Sequence, residues 1–134
     1  FDNLYNHHFK NSSLNFINKI EKINHLISDH EEIIANPILQ YLDIRKDFRL
    51  IGKNKIINKN RAPTISFVSN NISSKEIANK LIENKIATRN DNFYAWRCLE
   101  YLGIKTDDGV VRLSMTHYNN KYDSEKVIEA LEKI

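Results

Sequence analysis

Cysteine is nearly absent, with Cys98 the one thiol among 134 residues. That excludes a disulfide framework and a cysteine-rich zinc site, and it fits a reducing compartment. No apolar run approaches the roughly 18 residues of a membrane span, and the first residues lack the layout of a signal peptide. The chain is therefore read as cytoplasmic, with no membrane partner. Internal repeats are missing too. Charge of one sign is scarce: the net charge is +3, and lysines alternate with Asp, Glu and Asn instead of forming a stripe. A nucleic-acid partner is not needed to explain such a pattern. Met115 is the sole methionine and the chain opens on Phe1, which is the expectation for a piece of a longer protein.

What remains is ordinary for a globular fold, 41% hydrophobic and 28% charged, enough for one domain with a modest core. Leu14, Ile17, Ile20, Ile23, Ile27, Ile34 and Leu39 recur mostly at three- and four-residue spacing, which predicts a long amphipathic helix capped by Ser12 or Ser13. Pro37 interrupts that pattern, so a kink or break is expected at residues 33–36, with helix resuming through Leu42. Residues 48–51 read as a short strand, residues 52–60 as an exposed loop, and residues 64–68 as a β-branched strand. Ser73 and Glu76 form a capping box for a helix stapled by Ile72 and Ile77, with Asn84 as a left-handed stop. A short strand at residues 86–88, a helix over 94–102 ending at Gly103, and a final helix capped by Asn120 and Asp123 complete the reading. This order predicts an α/β (α+β) two-layer sandwich: a small, mostly antiparallel sheet with helices on one face, preceded by a long N-terminal helix. Residues 1–134 are taken as a single domain, 12–46 as a long helical region and 47–134 as the small α/β part.

The residues richest in chemistry lie in the run 109–120, where Arg112 interrupts an apolar strand. With a side-chain period of two, Val110, Arg112 and Ser114 share one face while Val111, Leu113 and Met115 take the other. A guanidinium on a covered sheet face must meet an anion or lose about 2–5 kcal/mol to desolvation. A carboxylate would serve.

Three stretches carry a resemblance together: Arg61-Ala62-Pro63-Thr64-Ile65-Ser66-Phe67, Asn92-Phe93-Tyr94-Ala95, and Arg112-Leu113-Ser114 followed by His117-Tyr118-Asn119-Asn120. From about Ile27 onward the chain resembles the C-terminal end of a class V aminotransferase of the cysteine desulfurase-like group, and His30-Glu31 falls where that family often has His-Glu. The resemblance implies that Arg112 grips the carboxylate of an amino-acid substrate, that Tyr94 lines the pocket, and that pyridoxal 5'-phosphate is bound by a large N-terminal domain. It also implies a homodimer of the longer protein, with no catalytic or cofactor-binding residue in this part. One departure matters. Where a desulfurase of this group places its persulfide-carrying cysteine, a few residues after an arginine matching Arg89, this chain has Tyr94. A phenol with pKa about 10 neither holds sulfane sulfur nor attacks readily at neutral pH. Cys98 lies one helical turn later and reads as a small buried hydrophobe.

Plainer readings stand beside these. Arg112 could form a structural ion pair; Arg89 reads as a solvated or domain-facing charge; Phe93 reads as packing; Tyr118 and Asn119 read as supports for their turn. His7, His8, His25, His30 and His117 are scattered, so no metal is expected. Lys53, Lys55, Lys59 and Arg61 read as a solvated loop. The favoured function is the substrate-closing C-terminal domain of a pyridoxal-phosphate enzyme acting on an amino acid, by transamination or elimination rather than desulfuration. The fragment alone is expected to be inactive. The alternative is a non-catalytic module that recognises a carboxylate metabolite or a protein partner, with a nucleic-acid-binding domain a weaker third.

Overall fold

The computed structural model describes residues 1–9, 14–57 and 59–134. Its order is α1 (Asp2–His8), α2 (Phe16–Ile44), β1 (Phe48–Ile51), β2 (Thr64–Ser69), α3 (Ser74–Glu83), β3 (Arg89–Asp91), α4 (Trp96–Tyr101), β4 (Val110–Ser114) and α5 (Lys121–Glu132). The four strands form one antiparallel sheet in the order β1-β2-β4-β3. The two-layer α/β expectation holds. Ile65 and Phe67 of β2, Val111 and Leu113 of β4, and Phe48 of β1 meet Ala35, Ile38, Leu39 and Leu42 of α2, Ile77 and Leu81 of α3, and Val127, Ala130 and Leu131 of α5. The C-terminal half of α2 thus belongs to the same core as the sheet. Strand residues of opposite parity, Val110 and Val68, join a smaller cluster with Leu99, Ile104 and Phe93, so α4 covers part of the other face.

Several elements differ from expectation, each for a local reason. The long helix runs unbroken through Pro37. A proline removes the N–H that would serve residue 33 and presses on that turn. Ala35, Ile38, Leu39 and Leu42 pack into one core on both sides of the proline, and the neighbouring Ile34 carbonyl also accepts from the Ser124 hydroxyl of α5 at 2.6 Å. The expected caps Ser12 and Ser13 lie outside the described residues; Asn15 caps α2 by accepting from the Asn18 N–H. The helix α1 has no counterpart among the expected elements, and it is tied down by Tyr5, only 1% exposed.

The third strand occupies Arg89–Asp91 rather than residues 86–88, and the left-handed stop after α3 is Lys85 (φ 62), not Asn84. Ser73 does cap α3, accepting from the Glu76 N–H at 3.1 Å. Among the described residues of the loop 52–60, all are exposed except Ile56, which Asn36 pins through both backbone groups: its side-chain amide donates to the Ile56 carbonyl at 3.1 Å and its side-chain carbonyl accepts from the Ile56 N–H at 2.8 Å. Helix α4 starts at Trp96, because Phe93 (φ 50) and Tyr94 (φ 61) are both left-handed. Gly103 (φ 68) ends that helical region as expected. The capping box of α5 is complete, with Asn120 and Asp123 each serving the other's backbone.

Candidate functional site

The candidate site is on the sheet face that α4 leaves partly open. In the β3–β4 pairing Arg89 stands directly opposite Arg112, and in the β2–β4 pairing Ser66 does so from the other side. Directly opposed residues share a face, so two guanidiniums and a hydroxyl are gathered there. A shallow cleft of about 220 Å³ is lined by Ala87, Thr88, Arg89, Arg112 and Ser114. The Thr88 hydroxyl closes one wall by donating to the Arg112 carbonyl at 2.9 Å.

Arg112 itself is half-buried, not sealed under a second layer. Its full desolvation, assumed from the sequence, does not occur. Its guanidinium carbon lies 3.9 Å from the centre of the Phe93 ring, and among the described residues no carboxylate pairs with it and no acceptor takes its N–H groups. The structural ion pair weighed from the sequence is therefore not formed among these residues. Arg89 does have a carboxylate, Asp91, at 3.6 Å. The pair is exposed and weak by the usual measure of surface ion pairs.

The turn after β3 carries Phe93 and Tyr94 to opposite fates. The Ala95 N–H donates to the Asn92 carbonyl at 2.8 Å and the Tyr94 N–H to the Asn92 side-chain oxygen at 2.9 Å. Within that turn Phe93 folds in over Arg112, while Tyr94 is 99% exposed and is not among the residues lining the cleft beside Arg112. Cys98 is exposed on α4. The expectation of a buried thiol is corrected: α4 is a single short helix whose buried residue is Leu99, leaving the neighbouring positions to solvent.

Beyond β4 the turn is held as the sequence suggests for Asn119 and not for Tyr118. Asn119 accepts from the Thr116 N–H at 2.9 Å and donates to Asp123 at 3.2 Å, while its own carbonyl accepts from His30 Nε2–H at 2.7 Å. His30 thus ties α2 to the end of the arginine strand across the sequence. Tyr118 is exposed at the rim of a second groove, about 320 Å³, with Ile38, Ile86, Leu113 and Met115 among its lining. Of the basic loop cluster, Arg61 is not simply solvated: it donates to the Thr64 carbonyl at 2.8 Å and to the Lys53 carbonyl, and partial burial lowers its pKa. Lys59 meets His25 Nδ1 at 2.6 Å. Among the described residues no three His, Cys, Asp or Glu side chains are grouped to hold a metal ion, and no helix is long and apolar enough to cross a membrane.

The fold is thus a small antiparallel α/β sandwich, with Arg112 unpaired among the described residues on its partly open face. Comparison makes it specific. The profile of the class-V aminotransferases matches residues 10–127, and the chain belongs to that family. The match begins well before Ile27, where the motifs alone place it. An aminotransferase-like protein of Gibberella zeae is 28% identical over 109 residues, which are 81% of this chain and 27% of that protein. A probable cysteine desulfurase of Pseudomonas putida is also 28% identical over 109 residues, covering 81% of this chain and 25% of that protein. The chain therefore spans about a quarter of the length of these relatives. Among solved structures, the apo cysteine desulfurase of Thermococcus onnurineus superposes with a TM-score of 0.70 at 23% identity, over 86% of this chain and 28% of that one. The cysteine desulfurase CsdA of Escherichia coli gives 0.66 at 22% identity, over 79% and 24%. These two establish the likeness of fold.

Proposed function

We propose that this chain is the C-terminal, substrate-closing domain of a longer pyridoxal-phosphate-dependent enzyme of the class V aminotransferase family that acts on an amino acid, with Arg112 binding the α-carboxylate. The observation that carries this reading is the guanidinium of Arg112, braced from one side by Phe93, opening on a cleft, and lacking a carboxylate among the described residues. A free planar fork of N–H donors is what bidentate carboxylate recognition needs. The residues of the cleft do not fit the cofactor itself: they include no lysine to hold its aldehyde and no carboxylate for its ring nitrogen. Pyridoxal phosphate is accordingly assigned to the rest of the protein.

Tyr94 is the second residue of the proposed site. Fully exposed here, it is free to line the mouth of a pocket completed by the remaining chain. Because it stands where the desulfurases of this group place their nucleophilic cysteine, we favour transamination or elimination over persulfide transfer. A homodimer in the cytoplasm goes with the same family reading.

The test is Arg112→Ala in the full-length protein loaded with pyridoxal phosphate. Loss of a charged hydrogen-bond pair costs about 1.5–3 kcal/mol, so amino-acid substrates weaken about 10- to 150-fold while cofactor absorbance is unchanged. Unaltered KM and kcat refute the role. A full-length protein that gains no cofactor absorbance at all favours the non-catalytic carboxylate-binding module instead.

A further inference from the structure

We propose that Phe93 is a positioning residue: its ring fixes the plane of the Arg112 guanidinium so that the N–H edge, and not the face, is offered to a carboxylate in the cleft of Thr88, Arg89 and Ser114. This rests on the reading of Arg112 as a carboxylate binder and adds what makes that binding directional.

The geometry is restrictive. The guanidinium carbon lies 3.9 Å from the ring centre. Guanidinium C–N arms are about 1.3 Å long, so a group standing on its edge would bring nitrogen to roughly 2.6–3.3 Å of the ring, inside the usual optimum of about 3.5–4.0 Å. A flat stack on the aromatic face, a favoured arginine arrangement, is the one this spacing admits without such a close approach. Flat stacking occupies the face that cannot donate and leaves the donating edge clear. No acceptor or carboxylate among the described residues takes that edge.

Phe93 is held for this task at some conformational cost. Its backbone is left-handed at φ 50, followed by a second left-handed residue at φ 61, an arrangement that side chains bearing a Cβ avoid. Two hydrogen bonds to Asn92 fix the turn, and the ring packs beside the buried cluster of Leu99, Ile104 and Val110. An arginine left unstacked would sample many rotamers and lose that freedom on binding. Phe93 packs as expected, and the Arg112 charge lies over its ring.

The experiment uses the full-length protein and two probes, acetate and L-alanine, titrated by NMR on the arginine Nε–H signals. In the unsubstituted protein the Arg112 signal is expected to be displaced upfield by the ring current of Phe93. Phe93→Leu, which keeps apolar bulk and removes the ring, is expected to erase that displacement and weaken both probes about threefold to tenfold. Phe93→Tyr, which keeps the ring, restores both. In an Arg112→Gln background the Phe93→Leu change should have no effect on either probe. If Arg112→Gln abolishes acetate binding while Phe93→Leu leaves it unchanged, the positioning role is overturned and the carboxylate site stands. If Arg112→Gln leaves acetate binding unchanged, the carboxylate reading itself falls. Should Phe93→Leu fail to fold, the unsubstituted protein still decides: an undisplaced Arg112 signal overturns the proposal.

Discussion

The Ser124 hydroxyl donates to the Ile34 carbonyl at 2.6 Å, both groups buried, three residues before Pro37. This contact joins α5 to α2 one residue along from Ile33, whose carbonyl loses its helical donor at Pro37. Removing a buried donor and leaving its acceptor costs about 1–3 kcal/mol. Ser124→Ala should lower the midpoint of urea unfolding accordingly. The loss should be much the same in a Pro37→Ala background, because the alanine N–H would serve the Ile33 carbonyl and leave the Ile34 carbonyl as it is. A loss that shrinks in that background would show that the hydroxyl compensates for the proline.

Acid stability should report on Asp47. Arg45 grips this carboxylate through Nε at 2.7 Å and through a terminal nitrogen at 2.6 Å, while its other terminal nitrogen donates to the Tyr41 hydroxyl at 2.5 Å. The hydrogen bond from Arg45 holds the Asp47 carboxyl below its ordinary pKa, and the same bond raises that of Arg45. Burial pushes the Tyr41 phenol up. For a carboxyl depressed on folding, the stabilisation is present above its unfolded pKa, near 3.9, and is lost as pH falls through the lower folded value. Unfolding midpoints should then separate Asp47→Asn from the unsubstituted protein at neutral pH and converge below about pH 4. A difference that persists undiminished in strong acid would assign the effect to something other than this charge.

How much of this was legible in the sequence depends on the range of the interaction involved. Elements governed by their own residues were readable: Ser73 caps α3, Asn120 and Asp123 close the box on α5, and Val111 and Leu113 take the core face of β4 while Arg112 takes the other. Where a distant group decides, reading failed. Pro37 argues for a break until Ala35 before it and Ile38, Leu39 and Leu42 after it are known to pack into one core with the sheet and α5. The site was half visible in the same sense. Arg112 stood out as a charge in an apolar strand, but Arg89 opposite it follows from a strand register, and Phe93 above it follows from two left-handed residues that no glycine or turn signal announced. Cys98 was misread because the helix carrying it is shorter than its apolar residues suggested and buries only Leu99.

Thr116 offers a case where less is more stable. Its hydroxyl is buried and has no hydrogen-bond partner among the described residues, although its N–H is served by Asn119. An unsatisfied buried hydroxyl costs free energy that a methyl group does not. Thr116→Val, which keeps the shape, should leave the turn intact and raise stability by up to about 1–2 kcal/mol. A clear loss of stability in thermal unfolding would mean that the hydroxyl has a partner in solution.

Gly109 controls how closely the antiparallel strands β3 and β4 can approach. It is left-handed at φ 65, and a Cβ there would lie 2.2 Å from the carbonyl carbon and oxygen of Asp91 and 2.7 Å from the Asn92 nitrogen. These are backbone atoms, so the collision cannot be relieved by turning a side chain. Gly109→Ala must push β3 away from β4, at a cost of about 3–5 kcal/mol, the range of severe backbone and packing defects. Gly52, with open space around its missing Cβ, should lose only about 1 kcal/mol on the same change, from its φ of 94 alone. The displaced β3 also carries the turn with Phe93, so in any folded Gly109→Ala protein the ring should leave Arg112. Loss of the ring-current displacement of the Arg112 Nε–H, alongside the drop in unfolding midpoint, is the expected pair of results. A protein destabilised by this amount whose Arg112 signal stays displaced would show that the turn is held by Leu99 and Ile104 alone, independently of its strand.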